Sequence, residues 1–106
     1  MICMLLFFKN EKYYHAEPSA ISHIIADDKY SHIHLIKVNE KFTEQHCLQY
    51  YENKLASSGF FLKIGRKLLI NRKQIDCFVN NKLTMKNGAE IELGPAEFKM
   101  LCDSLG

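Results

Sequence analysis

With 106 residues the chain has the length of one domain, and its 47% hydrophobic and 25% charged residues suit a globular protein, which argues against disorder. A net charge of +2 is only mildly basic, so total charge favours no class of partner and its distribution has to decide. Ile2–Phe8 is apolar but too short to span a bilayer, and neither a positive segment before it nor a small-residue cleavage site after it marks a leader. No membrane contact is expected, and the cytoplasm is the expected compartment. In that reducing environment Cys3, Cys47, Cys77 and Cys102, none of them in a C-x-x-C pair, are expected to be buried free thiols.

Ile2–Phe8 reads as a strand covered on both faces, because its apolar run does not alternate. Lys9–Lys12 reads as a turn, with Tyr13–His15 pairing back. Pro18 and Ser19 end that strand, and Ala20–His23 is expected to make one helical turn before Ile24–Ala26. Asp27-Asp28-Lys29 marks another turn. Tyr30–Lys37 alternates, with Ile33 and Leu35 on one side and His32 and His34 on the other. Val38-Asn39-Glu40 is expected to close a hairpin that returns through Lys41–Glu44. His46–Ala56 is the best helix: Cys47, Leu48, Tyr51 and Leu55 share a face, and Gly59 stands where a C-terminal cap belongs. Phe60–Asn71 reads as extended and basic. Ile75–Val79 reads as a strand that Asn80-Asn81 turns into Lys82–Lys86. Asn87-Gly88 is the strongest hairpin signal, in the pattern of a type I′ turn with two positive-φ residues, and it leads into Ala89–Leu93. Gly94-Pro95 then starts a short helix to about Ser104, with Pro95 at its first position and Glu97 in its first turn. The expected fold class is mainly β: small stacked antiparallel sheets with one or two short helices, in a single domain over residues 1–106.

The clearest chemical signal is the basic run Lys63, Arg66, Lys67, Arg72 and Lys73, which no acid interrupts between Lys63 and Gln74. Such donors satisfy phosphate oxygens, and Arg can also read a guanine edge. Gly65, without a side chain, would let a phosphate approach the backbone. A solvated strand–loop–strand face is the plain alternative, and charge alone favours it. His32 and His34 could form half of a zinc site, but no Cys, Asp or Glu is placed to complete it, so no metal is expected. Asp27-Asp28 suits a turn better than a catalytic pair. With no visible triad and no glycine-rich phosphate loop, neither an enzyme nor a cofactor is expected.

Ala26-Asp27-Asp28-Lys29-Tyr30-Ser31-His32-Ile33-His34-Leu35 resembles the signature of the LytTR family, which commonly reads like A-D-G-N-Y-V-K-I-H-L. Phe60 to Asn71 resembles the family's F-x-R-I-H-R-S-Y-L-V-N segment. Lys86 to Leu93 is similar to its closing N-G hairpin. The matches run in order and cover most of the chain, from about Leu5 to Leu105. The resemblance implies the DNA-binding output domain of bacterial response regulators of two-component systems, an elongated arrangement of small sheets in which loops and strand ends reach DNA. It implies three contact regions, which fall on His32, on Gly65-Arg66-Lys67 and on Gly94-Pro95-Ala96. Gly65 stands where a His is common, and Pro95 and Ala96 stand where basic residues are usual, so the third region is expected to be lost. No receiver domain precedes the matched segments, which points to a stand-alone regulator, an excised domain or a relative that has lost strong DNA binding.

Together these readings predict a binder of double-stranded DNA in transcription control. Lys63, Arg66, Lys67, Arg72 and Lys73 would attract phosphate, and Arg66 and His32 would reach base edges. Resemblance to the family also implies a homodimer on DNA. The alternative is an interaction module of the same fold that modulates a partner regulator.

Overall fold

The computed structural model describes residues 5–9, 11–36 and 41–105. Among them lie β1 (Leu5–Lys9), β2 (Lys12–Ala16), β3 (Ile21–Asp27), β4 (Tyr30–Leu35), β5 (Lys41–Glu44), α1 (Leu48–Leu55), β6 (Phe61–Ile64), β7 (Leu68–Asn71), β8 (Ile75–Val79), β9 (Lys82–Met85), β10 (Glu90–Glu92) and α2 (Pro95–Leu105). The strands form three sheets, in the orders β1-β2, β5-β4-β3-β7-β6 and β10-β9-β8. The described pairings are all antiparallel. This is the mainly β, stacked-sheet architecture that the strand spacing predicts.

The five-stranded sheet is a middle layer, and the alternation of its side chains explains why. Ile24 of β3 pairs with Ile33 of β4 and with Leu69 of β7. These three share one face, against Leu48, Tyr51 and Leu55 of α1. Their neighbours Ile25, Leu68 and Ile70 point to the other face, where they meet Leu83, Met85 and Ile91 of the three-stranded sheet and Leu101 of α2. β7 is therefore buried along its whole length, Leu68-Leu69-Ile70-Asn71, as a strand covered on both faces must be. The α1 residues recur at i, i+3 and i+7, one helical stripe, with Lys54 in the last turn where the helix dipole favours a cation.

Several expectations need correction. The strand covered on both faces is β7 and not the N-terminal apolar run, since Leu6 on β1 is 65% exposed; Ile2 to Met4 lie outside the described residues. The helical turn comes earlier than expected, as a 3-10 turn at Pro18–Ala20, and Ile21 to His23 already belong to β3. Pro18 opens that turn because its fixed φ suits the first helical position. The segment Phe60–Asn71 is not one extended piece: β6 and β7 form a hairpin, and Gly65 makes its turn possible at φ 67°. The Asn87-Gly88 hairpin forms, but only Gly88 has positive φ. Gly88 N–H donates to Met85 O and Met85 N–H to Ala89 O, a three-residue loop with a left-handed glycine rather than a two-residue type I′ turn. α1 is shorter than His46–Ala56, and Cys47 is its exposed cap residue rather than part of the buried face. Cys47, Cys77 and Cys102 are free thiols, as expected, but exposed rather than buried. Cys47 precedes the first turn of α1, Cys77 lies on β8 at the edge of its sheet, and Cys102 follows Leu101, the residue that α2 buries. Cys3 and the Val38-Asn39-Glu40 turn lie outside the described residues.

Candidate nucleic-acid interface

Sheet register brings His32 close to the turn Gly65-Arg66-Lys67. His32 on β4 pairs with Ile25 on β3, and Ile25 pairs on its other side with Leu68 on β7. Two strand spacings, roughly 10 Å, therefore separate His32 from Leu68. Ala26 N–H donates to Lys67 O at 2.7 Å and ties the turn to the end of β3. Arg66 and Lys67 are exposed there. His32 is half-buried and held on both sides, with Nδ1 2.8 Å from Thr43 Oγ1 and Nε2 3.6 Å from Asp27 Oδ2. The second distance exceeds a hydrogen bond, so Nε2 keeps room for an incoming partner.

The remaining cations of the basic run go elsewhere. Lys63 pairs in register with Leu69, which puts it on the α1 face, and its Nζ lies 3.7 Å from Glu52 Oε1. Arg72 and Lys73 follow β7 at its far end, about 15 Å from Lys67 at roughly 3.3 Å per residue. Lys73 Nζ sits 4.7 Å above the Phe60 ring, a cation–π contact. A run that is continuous in sequence is thus divided by the strand in its middle.

Two features of this end escaped the sequence reading. Glu97, in the first turn of α2, reaches over Gly65 and accepts from Gly94 N–H at 3.4 Å. Lys67 lines a groove with Glu90, Glu92 and Glu97 above Ile25 and Leu68. Acids far away in sequence therefore surround a lysine that sequence placed in an acid-free run. Next to His32, His23 and His34 stack with centroids 4.3 Å apart and planes 10° apart. Burial, and then the neighbouring His34, push the His23 pKa down to about 3. Burial first, and then the neighbouring Lys41 and His32, lower that of His34. Both rings are neutral near pH 7. Among the described residues no group of three or more His, Cys, Asp or Glu side chains is arranged to hold a metal ion, and no helix is long and apolar enough to cross a membrane.

The sequence profile described as the LytTr DNA-binding domain matches residues 11–106. The chain belongs to the LytTr DNA-binding domain family. No curated protein sequence matches it. A solved structure described as the LytTr DNA-binding domain of a methyl-accepting/DNA response regulator from Bacillus cereus superposes with a TM-score of 0.79. It shares 17% identity and covers 98% of this chain and 97% of that one, a likeness of fold. In this LytTr domain the first two regions implied by the resemblance, His32 and Gly65–Lys67, share one end of the middle sheet. The third, Gly94–Ala96, begins α2 and is linked to the second through Glu97. Pro95 and Ala96 are exposed but bring no charge.

Proposed function

We propose that this LytTr domain binds duplex DNA in a sequence-dependent way, in bacterial transcription control. The observation that carries this reading is that His32 and the turn with Arg66 and Lys67, from segments far apart in the chain, lie at the same end of one sheet, about two strand spacings apart. Lys67 supplies attraction to phosphate. Arg66, with a planar fork of donors, and His32, held by Thr43, supply base contacts. Gly65 contributes backbone. Lys63, Arg72 and Lys73 add long-range attraction, because each stands away from this end or is engaged with another side chain. The reading places the domain in the cytoplasm, where exposed Cys47, Cys77 and Cys102 stay reduced. Neither a cofactor nor a metal enters the proposed contact.

Selecting bound duplexes from a random pool tests the proposal. A defined preferred site is expected. On that site Arg66→Ala and His32→Ala should each cost about 1–3 kcal/mol, with little loss on random DNA. A pool that yields no preference at low salt, with affinities unchanged by either substitution, would remove the reading. The second reading, a module that binds a partner regulator, is favoured by the three carboxylates around Lys67. A pull-down that recovers such a partner while DNA does not bind would support it.

A further inference from the structure

The space over the Gly65 backbone is occupied. A Cβ at Gly65 would have Glu97 Cγ at 3.4 Å, Oε2 at 3.5 Å and Cδ at 3.7 Å as its nearest neighbours. A Cβ at Gly94 would lie 3.1 Å from the other carboxylate oxygen of the same residue. Two glycines from separate segments thus make room for one carboxylate. Gly94 N–H donates to its Oε1, and its Oε2 side faces the turn that carries Arg66 and Lys67. The same carboxylate lines the groove beside Lys67.

We propose that Glu97 is a displaceable anionic gate on the interface turn. Its carboxylate stands where a DNA phosphate approaching Gly65 would stand, and it has to swing out before a duplex settles on this backbone. The inference rests on the DNA reading above. Like charges repel at this range, so phosphate and carboxylate do not share the position. Opening needs only side-chain rotation and the loss of one long hydrogen bond at 3.4 Å, so the gate is light and its effect modest. Its consequence is selectivity: a phosphate held only by nonspecific attraction meets the closed carboxylate, whereas a site that also engages Arg66 and His32 opens it.

The test measures affinity for a random-sequence duplex at low and high salt. Glu97→Gln keeps an oxygen for Gly94 N–H but removes the charge. It should bind about two- to five-fold more tightly than the wild type at low salt, with the gain fading as salt screens it. Glu97→Asp keeps the charge but draws it back by one methylene, and it should gain as well. Glu92→Gln removes a charge from the same groove without touching the space over Gly65, and it should gain less than either. An equal gain from Glu92→Gln and Glu97→Gln would mean a long-range charge effect and would overturn the gate. If the wild type binds DNA and Glu97→Gln binds no better, the gate fails while the DNA reading stands. If neither the wild type nor any variant binds, the DNA reading fails and takes the gate with it.

Discussion

Asn71 is completely buried, and both ends of its amide are used. Nδ2 donates to Ile21 O at 2.9 Å, and Oδ1 accepts from Lys73 N–H at 2.9 Å. One side chain thus ties the end of β7 to the start of β3 and caps the 3-10 turn at Arg72–Gln74. Asn71→Ala would leave a carbonyl and an amide without partners, the costly way to lose a hydrogen bond. A destabilisation of about 2–4 kcal/mol is expected in chemical unfolding. A variant as stable as the wild type would show that water replaces the amide at no cost. Tyr51 makes the same point in the core beneath α1. It is fully buried, and its hydroxyl donates to Glu44 Oε1, so burial and then that carboxylate raise its pKa. The apolar stripe of α1 marks Tyr51 as a core residue, but nothing in the sequence pairs it with Glu44.

At the level of elements, β3 and β4 carry a pH dependence that follows from the pairing of His23 with His34. His23 is folded with a pKa of about 3 and takes its ordinary value of 6.5 when unfolded. The unfolded chain therefore binds the extra proton between those values. Stability is complete above pH 6.5 and is lost as pH falls towards 3. Between pH 7 and pH 5, above the range where carboxylates titrate, His23 alone should remove about 2 kcal/mol. His34, lowered in the same direction, adds to the loss. Urea unfolding at the two pH values checks this against His23→Gln, which lacks the titrating group and should show a smaller change. A wild-type midpoint that does not move with pH would mean that the pair takes up protons without opening. His34 is partly buried, stacked on His23. The sequence gives no sign of this pair because Ala20–His23 reads as a helical turn. Pro18 and Ser19 are real breakers, but the break is complete by Ala20, and a β-branched residue, Ile21, then opens β3.

For the whole molecule, the consequence is how many charges meet DNA at once. Five cations on one surface would give a salt dependence of affinity with a log–log slope near −4.5, at roughly −0.9 for each neutralised phosphate. The division of the run leaves Arg66 and Lys67 at the end proposed as the interface, with Lys63 against Glu52 on the opposite face of the sheet and Arg72 and Lys73 beyond β7. The slope per bound domain should then lie near −2. Titration of a labelled duplex at a series of salt concentrations checks it. A slope near −4.5 would show that DNA wraps both ends of β7 and that the proposed interface is too small.

Much of the architecture was legible from local signals, because strand punctuation acts locally. Asp27-Asp28-Lys29, Asn80-Asn81 and Asn87-Gly88 each sit at a hairpin, and Gly94-Pro95 does begin α2. The ordered family motifs also pointed to the LytTr domain that the profile identifies. His32 and Arg66 could be singled out in the same way. That they come to one end of a sheet could not, since it depends on β3 lying between β4 and β7, a choice of strand order made by long-range packing. Burial depends on the same choice. The N-terminal apolar run includes an exposed Leu6, while Leu68 to Asn71 is covered on both sides. Periodicity reports which residues alternate, and only the second sheet and α2 decide which faces are covered. Charge followed the same rule: an acid-free stretch in sequence is bordered by Glu52, Glu90, Glu92 and Glu97 once the sheets stack, because proximity in space and not along the chain sets the field at a lysine.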